Sequence, residues 1–134
     1  MNQVALEQTQ EHAATTTALD LALLTGTWVN TNASPSFIRR IQLEAAESRL
    51  TMRVTGTGAG SPEDWGANTA QPFTENTASR QAMAFSALFD LGGMESLLQA
   101  YVVKGVLVIV SFTKVKGGRE RSSSFGKEFF YRIP

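Results

Sequence analysis

From residue 26 to residue 132, apolar and polar positions alternate with a period of two in one short run after another. That period places successive side chains on opposite faces of a strand. The cleanest case is 49–56, with Leu50, Met52 and Val54 on one face and Arg49, Thr51, Arg53 and Thr55 on the other. The same reading predicts strands over 27–32, 37–44, 65–73, 81–89, 95–103, 106–114 and 124–132. Turn residues separate them: Ser34 and Pro35, the glycine-rich stretch 57–64, Gly92 and Gly93, Lys104 and Gly105, Gly117 and Gly118. The run 106–114 is almost continuously apolar, which predicts cover on both faces. Strands in sequential order with short connections predict an all-β, eight-stranded, antiparallel up-and-down barrel, because closure removes both sheet edges. A barrel of this size holds one small ligand or is filled by its own side chains.

The start of the chain reads differently. Residues 1–24 are expected to form an N-terminal arm, and 25–134 the barrel domain. Val4, Ala5 and Leu6 give a weak apolar face for a short helix ending near His12, and the β-branched run Thr15, Thr16 and Thr17 interrupts it. Leu19, Leu21, Leu23 and Leu24 then lead into Gly26, a short helical turn before the first strand. The arm is either a lid that folds over the barrel mouth or a disordered tail.

Composition narrows the chemistry. A chain of 134 residues suggests one domain. It has no cysteine, so disulfides, thiolate metal sites and a thiol nucleophile are excluded. Its one histidine, His12, lies in the arm, which argues against a histidine metal site or a Ser-His-Asp triad in the barrel. Twelve basic residues balance twelve acidic ones, so there is no electrostatic footprint for nucleic acid. No apolar stretch is long enough for a membrane helix, and the first residues do not read as a secretory signal. A cytoplasmic location is the expectation. Glycines 56, 58 and 60 alternate in a loop with no helix after them, a hinge pattern rather than a dinucleotide motif.

Gly26-Thr27-Trp28 opens the first strand and Tyr131-Arg132 closes the last. A G-x-W in the first strand with a basic residue at the end of the last resembles the calycin superfamily, which includes lipocalins, fatty-acid-binding proteins and avidins. With Ser61-Pro62, Asp64-Trp65-Gly66 and a final Glu128-Phe129-Phe130-Tyr131-Arg132, the chain resembles small bacterial calycin-like proteins over residues 26–132. The resemblance implies that Trp28 plugs one end of the barrel and that Arg132 packs on its ring as a cation–π pair. It also implies that Asn30 occupies a position that contacts ligand in avidins. Two tryptophans are too few for a biotin site, and the terminal R-x-Y that holds a fatty-acid carboxylate is absent.

Alternation from Trp28 turns Asn30 and Asn32 inward, and alternation from Arg132 turns Phe130, Glu128 and Gly126 inward. An inward Glu128 needs a partner, with Arg39, Arg40 and Arg53 as candidates. The pair is either structural or an acid–base group facing the cavity. Met83, Phe85, Phe89, Tyr101, Phe112 and Phe129 are the large apolar side chains expected around any remaining space. Trp65 is expected at the rim, either as a simple corner or as a closing residue over a ligand.

With no nucleophile, metal or cofactor motif, two functions stand. The first is what the resemblance to bacterial calycin-like cyclases implies: a cofactor-independent cyclase of the Diels–Alderase type, which holds an apolar polyketide-like substrate in its reactive conformation and excludes water. Glu128, Asn30 and Tyr101 are its candidate catalytic groups, and Trp28, Trp65, Phe85, Phe112 and Phe130 its ligand-binding ones. The second is a non-catalytic, lipocalin-like binder of a small apolar metabolite. A third reading is a filled barrel serving as an interaction module. A homodimer is also compatible, with Val108 and Ile109 packing on a partner.

Overall fold

The computed structural model describes residues 19–47, 49–116 and 123–134. Eight strands follow one another: β1 (Gly26–Asn30), β2 (Ile38–Ala46), β3 (Arg49–Gly56), β4 (Asp64–Thr74), β5 (Ala82–Asp90), β6 (Met94–Val103), β7 (Val106–Val115) and β8 (Ser123–Ile133). Each pairs antiparallel with its sequence neighbour, and β8 returns to β1, so the sheet is a closed barrel in sequential order. The expected strands are all present, with ends displaced by no more than two residues. The proposed helix near His12 lies outside the described residues.

Alternation fills the barrel. Trp28, Ile41, Leu43, Leu50, Met52 and Val54 point inward from β1, β2 and β3. Phe85, Leu98, Leu107, Ile109 and Phe130 meet them from the opposite wall, and all of these are less than 2% exposed. Side chains that leave no water-sized space at their surfaces form a packed core rather than the lining of an open chamber. Ile109 belongs to this core, so it is not available to a partner. Val108 points outward but is covered between its cross-strand neighbours Tyr101 and Phe129.

One end is closed by the segment before β1. Asp20 bridges to Gln81 beside β5, with Asp20 N donating to Arg80 O and Ala82 N to Asp20 O. A turn follows, and Leu21 and Leu24 seal the floor. Trp28 Nε1 donates to Leu24 O at 2.9 Å. Arg132 lies over the Trp28 ring, its guanidinium carbon 4.7 Å from the centroid, and donates to Leu23 O at 2.6 Å. Gly26 makes room for this: its φ is +128°, and a Cβ there would sit 3.1 Å from the Arg132 stem. The described part of the arm, 19–24, is therefore a fixture of the closed end, opposite the mouth. The remainder of the expected lid, 1–18, lies outside the described residues.

The wall is not uniformly laced. β4 pairs with β5 only from Gln71 to Thr74, while its first half pairs with β3 alone. Beside that split, Asn68 Nδ2 donates to Leu88 O at 2.6 Å.

Candidate functional site

The mouth lies at the far end from Trp28, where β1 and β7 end and β2, β4 and β8 begin. Here the inner wall changes from apolar to polar. Ser96, Ser111 and Thr113 are buried, and Ser96 shares a hydrogen bond with Thr113 at 2.9 Å. Gly126 stands opposite Ser111, whose hydroxyl takes the space beside it: a Cβ at Gly126 would lie 2.8 Å from Ser111 Oγ. A cavity of about 210 Å³ lies at this end, lined by Phe37, Ser111, Thr113, Ser124, Lys127 and Glu128 among others.

Glu128 is the one acid of this lining. Two residues from the buried Phe130 along β8, it faces inward and is half-buried, as alternation from Arg132 predicts. Its partners are not arginines. Among the described residues Arg53 is 3.8 Å from Asp64, and Arg39 and Arg40 are exposed on the outside of β2. The carboxylate instead accepts from the backbone N–H of Ile38 at 3.2 Å and of Phe37 at 3.3 Å. It also accepts from Asn30 Nδ2 at 3.1 Å. Consecutive amides entering β2 thus form a small anion-binding concavity. Burial pushes the Glu128 carboxyl above its ordinary value, and the bonds from Ile38, Phe37 and Asn30 oppose that shift without cancelling it.

Asn30 is buried and inward, as expected. Besides Glu128 it donates to Ile38 O at 2.8 Å, and its oxygen accepts from Asn32 N at 2.8 Å. Asn32 is a correction. β1 ends at Asn30, the alternation stops there, and Asn32 is exposed, with its side chain accepting from Ser34 N.

Trp65 closes one side of the mouth. It is 7% exposed and meets Phe37 and Phe89 edge-on, with ring centroids 5.0 and 5.6 Å away. Its Nε1 donates to Pro62 O at 3.1 Å. Gly56 permits this fold-back, since a Cβ there would lie 2.4 Å from Pro62 O and 2.5 Å from Trp65 Nε1. Ser61 Oγ is buried in the same loop without a hydrogen-bond partner.

The structure therefore brings Glu128 and Asn30 into contact and sets Trp65 on the same mouth, with Phe37 touching both groups. It does not bring in the others. Tyr101 and Phe112 stand on the outer face, 42% and 44% exposed, because the inward phase of β6 and β7 falls on Ala100 and Thr113. Phe129 is likewise outward, while Phe85 and Phe89 are inward. Trp28, Phe85 and Phe130 are inward but belong to the packed core. Compared with known protein families, curated proteins and solved structures, the chain finds no match. Among the described residues no three acidic or histidine side chains gather to hold a metal ion, and no helix is long and apolar enough to cross a membrane.

The mouth residues missed by sequence reasoning are Ser96, Ser111, Thr113 and the amides of Phe37 and Ile38. Hydroxyls on the inward phase of otherwise apolar strands were a usable signal. Backbone N–H groups carry none, because every non-proline residue has one.

Proposed function

We propose that this chain is a calycin-like barrel that binds a small, largely apolar molecule at its mouth. Glu128 engages a polar group of that molecule there. The observation that carries this reading is the half-buried Glu128 carboxyl, without a cationic partner among the described residues, opening on a 210 Å³ cavity. A hydroxyl or amide N–H on the ligand complements the carboxylate, and a carbonyl complements its protonated form. The hydroxyls of Ser111 and Thr113 supply further polar contacts, and Phe37 with Trp65 supplies the apolar wall.

The cyclase remains the second reading, favoured by the raised pKa of Glu128, which suits a general acid polarising a carbonyl. Against it stands size: ligand sites run to ~300–1,000 Å³, so enclosing a polyketide-like chain requires the Trp65 cluster to swing aside. The binder is therefore preferred.

Native mass spectrometry after incubation with extracts of the producing cells tests both. A small molecule retained and released unchanged supports the binder. A linear precursor returned as an isomer of equal mass establishes the cyclase. Neither adduct nor conversion removes both readings and leaves the filled barrel as an interaction module. Any adduct found should weaken in Glu128→Gln and Trp65→Ala; an adduct indifferent to both lies elsewhere.

A further inference from the structure

The outer surface of the barrel is divided. On β2 and β3 it is polar, with Arg40, Gln42, Glu44, Arg49 and Arg53 exposed. On β5 to β8 two apolar cross-strand rows flank a more polar one of Ser86, Gln99, Val110 and Lys127. Leu88 pairs with Leu97, Leu97 with Phe112, and Phe112 with Phe125. Ala84, Tyr101, Val108 and Phe129 make a second row in the same way. Phe125 is 65% exposed, and a groove of about 490 Å³ runs over the first row. An exposed apolar face of this extent marks a surface that something covers.

We propose that a second copy of this chain covers it. The pattern of the face is self-complementary. A two-fold axis laid along the strands between β6 and β7 turns the face onto itself, β5 over β8 and β6 over β7. Each row then meets its own reverse. Leu97 faces Phe112, Leu88 faces Phe125, and the small Ala84 faces the large Phe129. At the mouth-side edge Glu95 and Lys114 are cross-strand neighbours within one chain, and across the axis each also faces the other's counterpart. The exposed Phe125 ring of each copy enters the groove of the other, which Leu88 and Leu97 line. Such a contact is isologous and closes at two copies. Area is sufficient: four strands spaced ~4.8 Å apart and about 30 Å long give roughly 600 Å² before relief is counted. A stable interface needs ~800 Å² per partner, and the relief of the side chains on those strands, Val103 and Tyr131 among them, makes up the difference. The chain has no net charge, so two copies do not repel at long range. The dimer contact borders the mouth, because Thr113, Ser124 and Phe125 line both the groove and the mouth cavity.

Sedimentation velocity on the full chain tests it. The expected particle is twice the 14.5 kDa chain mass. Phe112→Glu should give a monomer, or weaken association by at least about a hundredfold, as loss of a central aromatic anchor does. Glu95→Lys alone and Lys114→Glu alone should each weaken association by about tenfold, since like charges then oppose across the axis. Mixing the two single variants should restore it as a heterodimer, because opposite charges then meet across the axis while the pair within each chain stays like-charged. Far-ultraviolet circular dichroism and the unfolding midpoint of each variant establish that the barrel is intact. A wild-type monomer at all concentrations overturns the proposal, as does a dimer indifferent to Phe112→Glu. Single swaps that weaken the dimer without rescue on mixing the two variants overturn the proposed axis.

Discussion

Asn30 Nδ2 donates to the Glu128 carboxylate at 3.1 Å and to Ile38 O at 2.8 Å, joining β8 to the start of β2 through one side chain of β1. The mouth is thereby braced at the one place where the barrel holds an inward acid. Asn30 is more than a ligand-facing polar group, because its removal would take a donor from the Ile38 carbonyl and leave the carboxylate only its two backbone donors. Asn30→Ala is expected to lower stability by about 1–3 kcal/mol, read from urea unfolding at neutral pH. A loss within error would show that water replaces both bonds.

Glu128 should make stability depend on pH in an identifiable direction. Its folded pKa is raised, so the folded chain holds this proton more tightly than the unfolded chain does. Its contribution is therefore greatest at low pH and is lost as pH rises from the ordinary 4.5 through the higher folded value. The difference in unfolding free energy between wild type and Glu128→Gln should fall across that window and be flat above it. A difference that rises with pH would reverse the assignment. In Asn30→Ala the upper edge of the window should move further up, since a donor that stabilises the carboxylate is gone.

Arg132 is surface-exposed, yet it is tied to the closed end by a ring contact and a short hydrogen bond to Leu23 O. Arg132→Ala should cost about 1–3 kcal/mol, combining a cation–π contact with a charge-assisted bond. Arg132→Lys should recover only part of this, because one ammonium cannot stack and reach the carbonyl in the same geometry. Chemical denaturation of the three proteins decides it.

Trp65→Ala should cost about 3–5 kcal/mol, the range for a buried large aromatic. Trp28 would then be the sole tryptophan, and its fluorescence should be blue-shifted and hard to quench with acrylamide, since it is wholly buried. A red-shifted, readily quenched Trp28 would mean that the mouth and the floor are not independent.

Asn68→Ala should loosen the wall where the β4–β5 ladder stops. Hydrogen exchange of the amides in 65–70 and 87–90 should accelerate, while those of β6 and β7 stay protected. Uniform acceleration would instead mean global destabilisation.

How much of this was legible in the sequence varies with the residue. Leu50, Met52 and Val54 alternate with polar neighbours, so only one phase buries them, and the structure follows it. On β6 and β7 both phases are apolar, with Leu97 beside Leu98 and Val108 beside Ile109, so the pattern cannot say which face is in. Tyr101 and Phe112 were expected inside for that reason and stand outside. Glu128 was placed correctly on the inner face, but its arginine partners were wrong. Counter-charges can be sought in a sequence, whereas the amides of Phe37 and Ile38 become partners only once β2 starts beside β8's acid.

The sequence alone determined the number and limits of the strands, their sequential closure, and the meeting of Trp28 with Arg132. The strands and their closure follow from local period, turn residues and the need to remove edges, whereas the Trp28–Arg132 contact was implied by the resemblance to calycins. Tertiary structure decided which aromatic rings fill the barrel, which face outward, and what holds Glu128. Those depend on the shared pairing register of all eight strands, a one-residue change in which turns every side chain to the other face.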